Sequence, residues 1–188
     1  MRKAALALLL LGSACSNNDN LILGGIGSSP DTPQIVFDNV NSAISGNVTL
    51  SDANGNPVTP VTAIILTDQS GLCDKLKAHP DYFRKPSETF IAMILFVPAG
   101  RVGTFLPGRA GDEGTGSEII GVNDINKKVL PFKAVDTGFI AISPEDSPTG
   151  SFNLLYAAPP ELNVNAGFPF QGRFKANPCG NMAGVLLP

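Results

Sequence analysis

The stretch DQSGLCDKLKAHPDYF places Cys73 close to His79, the one histidine in the chain of 188 residues. A thiol beside an imidazole is the arrangement of an activated cysteine nucleophile, so this pair is the first chemistry to weigh. With one imidazole available, neither a zinc centre built on two or three histidines nor a His-based triad finds support. His79 precedes Pro80 at the end of a predicted helix, where the helix C-terminus favours a cation, and it reads as a local cap. Ser70, Ser87, Ser117, Ser143, Ser147 and Ser151 lie in no G-x-S-x-G elbow and no S-x-x-K pattern. The densest acidic stretch, GDEGTGSEIIGVND, holds Asp112, Glu113, Glu118 and Asp124. Carboxylates so spaced could hold Ca²⁺, with Asp112, Glu113 and Glu118 as the candidate ligands, although the spacing matches no EF-hand loop and a solvated loop is the simpler reading. Glu118 with Glu145-Asp146 could also form a glycosidase pair, but only the fold sets the separation such a pair needs.

GRVGTFLPGRAGDEGTG is glycine-rich without the G-K-[ST] ending of a phosphate cradle. It predicts a hairpin and a long flexible loop. Function tends to sit on loops held by a rigid scaffold, so Arg109, Asp112, Glu113, Glu118 and Asp124 form a candidate binding loop. If so, replacing Asp112 to Gly116 with a short linker leaves folding intact and abolishes partner binding.

The chain carries 13 basic and 16 acidic residues, and without Arg2 and Lys3 the basic count falls to 11. Its cations are scattered, only Arg84-Lys85 and Lys127-Lys128 being adjacent, which argues against attraction to nucleic acid or to anionic lipid headgroups. No cofactor motif is present in the sequence, and none is expected to bind.

The opening MRKAALALLLLGSACSNN explains the third cysteine. A basic start and the apolar run Ala4 to Leu11, too short to span a bilayer, read as a secretory signal. With Gly12, Ser13 and Ala14 leading into Cys15, the stretch resembles a bacterial lipoprotein signal, whose cysteine is acylated and becomes the mature N-terminus. Gly12 stands where that family usually has Leu, with Leu11 one place further back; the alternative is an ordinary signal cut near Ala14 or Ser16. The resemblance implies export and membrane attachment through the lipid, and Ser16 in place of Asp implies the outer membrane. The polar, Gly- and Pro-bearing residues that follow read as a tether. Residues 1–14 are thus expected to be a signal, 15–33 a flexible tether interrupted by Leu21-Ile22-Leu23, which either packs back on the domain or is a frayed strand, and 34–188 one domain.

Assigning Cys15 to lipid leaves Cys73 and Cys179, for which an oxidising compartment makes a disulfide the default. The chain-entropy model gives about 4.7 kcal/mol for a loop near 100 residues.

Short runs rich in Val, Ile and Phe, separated by Gly, Pro, Asn and Asp, predict a mainly β domain. Strands are expected at 34–40, 44–50, 61–67, 90–97, 102–106, 118–122, 129–135, 139–143, 151–157, 168–175 and 184–187. FIAMILFV is apolar on both faces and predicts a central strand covered on both sides, whereas FPFQGRFKA alternates Phe168, Phe170 and Phe174 inward with Gln171, Arg173 and Lys175 outward. Together they suggest a single β-sandwich. One short helix is expected around residues 70–78, with Asp68 or Ser70 as cap, Leu72 and Leu76 on one face and Pro80 ending it.

ISGNVTLSDANGNPVTPVTAIIL, strand, turn and strand, resembles the opening of transthyretin-like or carboxypeptidase-regulatory-like modules, which are small, Ig-like β-sandwiches. Gly150-Ser151-Phe152, Gly172-Arg173-Phe174-Lys175-Ala176 and Cys179, with LCDKLKAHPDYF, resemble uncharacterised exported lipoproteins of myxobacterial type. That likeness implies location and a β-rich fold but no reaction. The expectation is a non-enzymatic, lipid-anchored envelope module that binds an envelope protein or extracellular ligand; the alternatives are a secreted carboxylate-dependent hydrolase and a Ca²⁺-stabilised structural module.

Overall fold

A computed structural model describes residues 19–26, 35–37, 39–51, 57–122, 129–144, 147–157 and 167–187. The described chain is mainly β with one short helix. Its strands are β1 (Leu21–Ile26), β2 (Ile35–Val36), β3 (Ser42–Ser51), β4 (Pro57–Thr67), β5 (Phe90–Pro98), β6 (Gly103–Phe105), β7 (Gly116–Val122), β8 (Val129–Ser143), β9 (Thr149–Ala157), β10 (Gly167–Lys175) and β11 (Asn177–Asn181), and α1 spans Leu72–Ala78. They form one mixed sheet in the order β11-β3-β4-β5-β7-β8-β9-β10-β1-β2, with β6 pairing β8 beside this path. The pairings are antiparallel except β11 on β3.

The sheet curls because its inward faces share a core. Ile64 and Leu66 of β4 and Met93, Leu95 and Val97 of β5 pack in one cluster with Phe152, Leu154 and Tyr156 of β9, Phe170 and Phe174 of β10, and Ile22 of β1. The opposite faces of the same two strands build a second core: Val61, Ala63, Ile65, Phe90, Ala92, Ile94 and Phe96 lie under Leu72 and Leu76 of α1, Tyr82, Phe83, Cys179 and Met182. FIAMILFV therefore is a central strand buried on both faces, as its pattern predicts. The inward and outward sets of β10 are also as expected: Phe170 and Phe174 are buried, Phe168 packs partly on the core, and Gln171, Arg173 and Lys175 are exposed.

The expected strands at 129–135 and 139–143 are one strand, β8, bent where its register against β9 slips between Ala134 and Gly138. This bulge lets the first half pair with β7 and the second with β6. Gly138 has φ +111°, and a Cβ built there would stand 2.0 Å from the Asn153 carbonyl oxygen. Because the obstacle is backbone, Gly138→Ala is expected to cost at least the ~1–3 kcal/mol of a strained residue, read as a lower midpoint in urea unfolding.

Three expectations need correction. Leu21–Ile26, inside the stretch assigned to the tether, forms β1 and pairs with β10, with Ile22 buried. Residues 184–187 form no strand, because β11 already occupies the edge of β3; instead Leu186 N–H donates to the Pro80 carbonyl and Arg84 Nε to that of Leu187. Neither Asp68 nor Ser70 caps α1. Gly71, left-handed at φ 66°, is the N-cap without a side-chain bond, while Asp68 accepts the Ile91 N–H. At the other end His79 is the C-cap, its N–H donating to the Lys75 carbonyl. The turn expected at Asn54-Gly55-Asn56 lies outside the described residues, but the strands it would join pair antiparallel.

Candidate functional site

Cys73 and Cys179 are joined, with Cα atoms 5.6 Å apart, which ties α1 to β11. The sulfur that could have been a nucleophile beside His79 is thereby a staple, and His79 is an exposed cap. Cys15, Asp124, Glu145 and Asp146 lie outside the described residues.

The glycine-rich segment between β6 and β7 is built around Asp112. Its carboxylate is buried; Oδ2 accepts the Leu106 N–H at 3.1 Å and Oδ1 lies 3.9 Å from Arg101 Nη1. Arg101 Nη1 donates to the Gly111 carbonyl at 2.7 Å, and its guanidinium sits 5.3 Å from the centre of the Phe105 ring. Successive backbone bonds, Arg109 to Leu106, Asp112 to Arg109 and Thr115 to Asp112, wind the segment into consecutive turns. Gly114 seats it on β4, where an added Cβ would meet Val61 at 2.6 Å. The expected long flexible loop is thus braced into the fold, and replacing Asp112 to Gly116 would disturb folding as well as any binding. Asp112→Ala removes a carboxylate acceptor from the partly buried Leu106 N–H and is expected to cost about 1.5–3 kcal/mol, measurable by chemical denaturation.

The candidate calcium ligands do not converge. Glu113 turns back to accept the Gly111 N–H at 2.9 Å, which holds its carboxyl below the usual range, and Glu118 is buried on β7 opposite Lys133 of β8. Among the described residues no group of three or more His, Cys, Asp or Glu could hold a metal ion. Arg109 is exposed on the turns.

Burial pushes the Glu118 carboxyl up from its ordinary value of 4.5, with the Lys133 charge opposing. A carboxyl whose pKa is raised by folding binds its proton more tightly in the folded state. Its protonated form therefore supports the fold below the unfolded value, and that support is lost as pH rises through the folded value. Glu118→Gln is accordingly expected to raise the melting temperature at pH 7 and to leave it unchanged near pH 3, where both side chains are neutral.

A polar cluster that the sequence did not signal joins the lower end of β4 to α1 and residues 79–89. Lys75 Nζ donates to Glu88 Oε1 and to Gln69 Oε1, and Tyr82 Oη donates to the same Glu88 oxygen at 2.9 Å. Gln69 Nε2 reaches the Thr89 carbonyl, and Thr67 Oγ1 the Ile91 carbonyl. The Lys75 ammonium holds Glu88 below the usual carboxylate range, while burial pushes the Tyr82 phenol up. Glu88 stays charged and Tyr82 protonated at neutral pH, so the cluster latches segments together and poises no acid or base. Ser117 is likewise committed, its hydroxyl donating to the Ile94 carbonyl and meeting the Tyr156 hydroxyl inside the core.

Two clefts are lined by described residues. One, of about 220 Å³, lies beside the disulfide between α1 and the C-terminal segment, lined by Leu76, Lys77, Pro80, Met182 and Val185. The other, of about 210 Å³, lies at the end of the sheet where β4 begins and β5 and β8 end; its floor is Ile64, Val97 and Ile142, and its rim includes Arg101 and Val102. The residues around it come from separate stretches that the curl brings together. Comparison of the chain with family models, curated proteins and solved structures returns no match.

Proposed function

We propose that the protein is an exported lipoprotein, anchored through acylated Cys15 in the outer membrane, whose domain serves as a binding or structural module of the envelope rather than as an enzyme. The observation that carries this reading is the opening MRKAALALLLLGSAC with its polar continuation. The non-enzymatic part is supported by the commitments of the described polar groups: Cys73 to a disulfide, Asp112 to a turn, Lys75, Glu88 and Tyr82 to a latch. We take the architecture as a β-sandwich in which β4 and β5 face β9, β10 and β1 across the first core. Growth with an alkyne-tagged fatty acid tests the anchor. The wild-type chain is expected to carry the tag and sediment with membranes, and Cys15→Ala to lose both; a tag-free wild-type chain contradicts the proposal.

A further inference from the structure

In the cleft at the upper end of the sheet, where β4 begins and β5 and β8 end, side chains of the first core reach the surface. Its floor side chains Ile64 and Val97 belong to that core, and Val102 on its rim is 58% exposed, the most exposed large apolar side chain among the described residues. Its volume of about 210 Å³ exceeds the ~150 Å³ at which an apolar cavity binds benzene. Among the described residues the one charged group on its lining is Arg101, about half exposed, held by the Gly111 carbonyl and Phe105 and 3.9 Å from the Asp112 carboxylate, which leaves the exposed part of the guanidinium to face the cleft. Apolar walls with a positioned guanidinium at the rim suit an aliphatic chain that ends in an anion.

The chain enters the fold at this same end. Asn20 Oδ1 accepts the Lys175 N–H at 2.8 Å; Lys175 is opposite Thr149, and Thr149 opposite Ser143, which lines the cleft. Ser16-Asn17-Asn18-Asp19-Asn20 spans at most about 18 Å even when extended. Two strand spacings of about 4.8 Å separate Lys175 from Ser143. A lipid on Cys15 therefore holds the cleft close to the bilayer. We infer that the upper cleft takes one acyl chain of a membrane lipid with an anionic headgroup, the head pairing with Arg101. The membrane-facing orientation rests on the proposed anchor, whereas the chemistry of the cleft does not.

Calorimetric titration with dodecanoate below its micellar concentration tests the site. One saturable site is expected, bound at least tenfold more weakly by Val102→Asp, which puts a carboxylate on the exposed rim without touching the core. Leu186→Asp, at an exposed apolar position on the C-terminal segment, should stay within twofold of wild type, and dodecyltrimethylammonium should bind at least tenfold more weakly than dodecanoate. Absence of saturable binding, equal binding by Val102→Asp, or equal binding of the cationic amphiphile would overturn the inference. Acylated wild type and the Cys15→Ala chain should bind alike. Binding by Cys15→Ala alone would mean that the protein's own anchor fills the cleft and would overturn a membrane lipid as occupant. Failure of the anchor reading shows separately, in the mass of the protein.

Discussion

Reducing the Cys73–Cys179 bond, or replacing both residues by Ser, is expected to lower the melting temperature by about 10–20 °C. The bond links residues 106 apart, and a loop of that order restricts the unfolded chain by about 4.7 kcal/mol in the chain-entropy account. For a domain of this size each kcal/mol moves the midpoint by roughly 2–4 °C. The folded state also has a local stake in the bond. Cys179 belongs to β11, the edge strand that pairs parallel to β3, and the segment after it supplies Met182, Val185 and Leu187 to the second core. Hydrogen exchange on the reduced protein should therefore show β11 and the C-terminal segment losing protection first, with β9 and β10 keeping theirs. A midpoint that moves by less than about 3 °C, for which the same conversion gives roughly 1 kcal/mol, would contradict the staple.

Phe170→Ala is expected to destabilise the domain by about 3–5 kcal/mol, the usual cost of deleting a buried ring. Phe170 is fully buried and meets two rings edge to face, Phe37 at 6.3 Å and Tyr156 at 5.3 Å between centroids. These contacts join β10 to β9 and to the residue just after β2, so the curl has little means of collapsing into the space left. The neighbouring inward position is a control: Phe168 is only partly buried, and Phe168→Ala should cost clearly less. Equal losses at the two positions, measured by urea unfolding, would mean that the first core is not organised around Phe170.

Much of the interior was legible because β5 and β10 state their surroundings in their own residues. An unbroken apolar run needs cover on two sides, and Phe alternating with Gln, Arg and Lys needs cover on one. The disulfide followed from parity once Cys15 was set aside. β1 was not legible, because three apolar residues in a polar stretch do not name a partner, and its partner β10 lies at the far end of the chain. β8 looked like two strands because the bulge before Gly138 resembles a turn. Asp112 looked like a solvated loop carboxylate because its acceptor role depends on the Leu106 N–H being turned toward it, a three-dimensional fact. The upper cleft is of the same kind: Ile64, Val97, Arg101 and Ile142 gather only after the sheet has curled.

The central claim is an exported, lipid-anchored and disulfide-stapled domain, and the intact mass of the protein from its native membrane tests it most directly, taken with and without reduction before alkylation. The account predicts a mass for a chain beginning at Cys15 plus acyl groups, with Cys73 and Cys179 alkylated only after reduction. A mass without acyl groups, or alkylation of Cys73 without reduction, would contradict it.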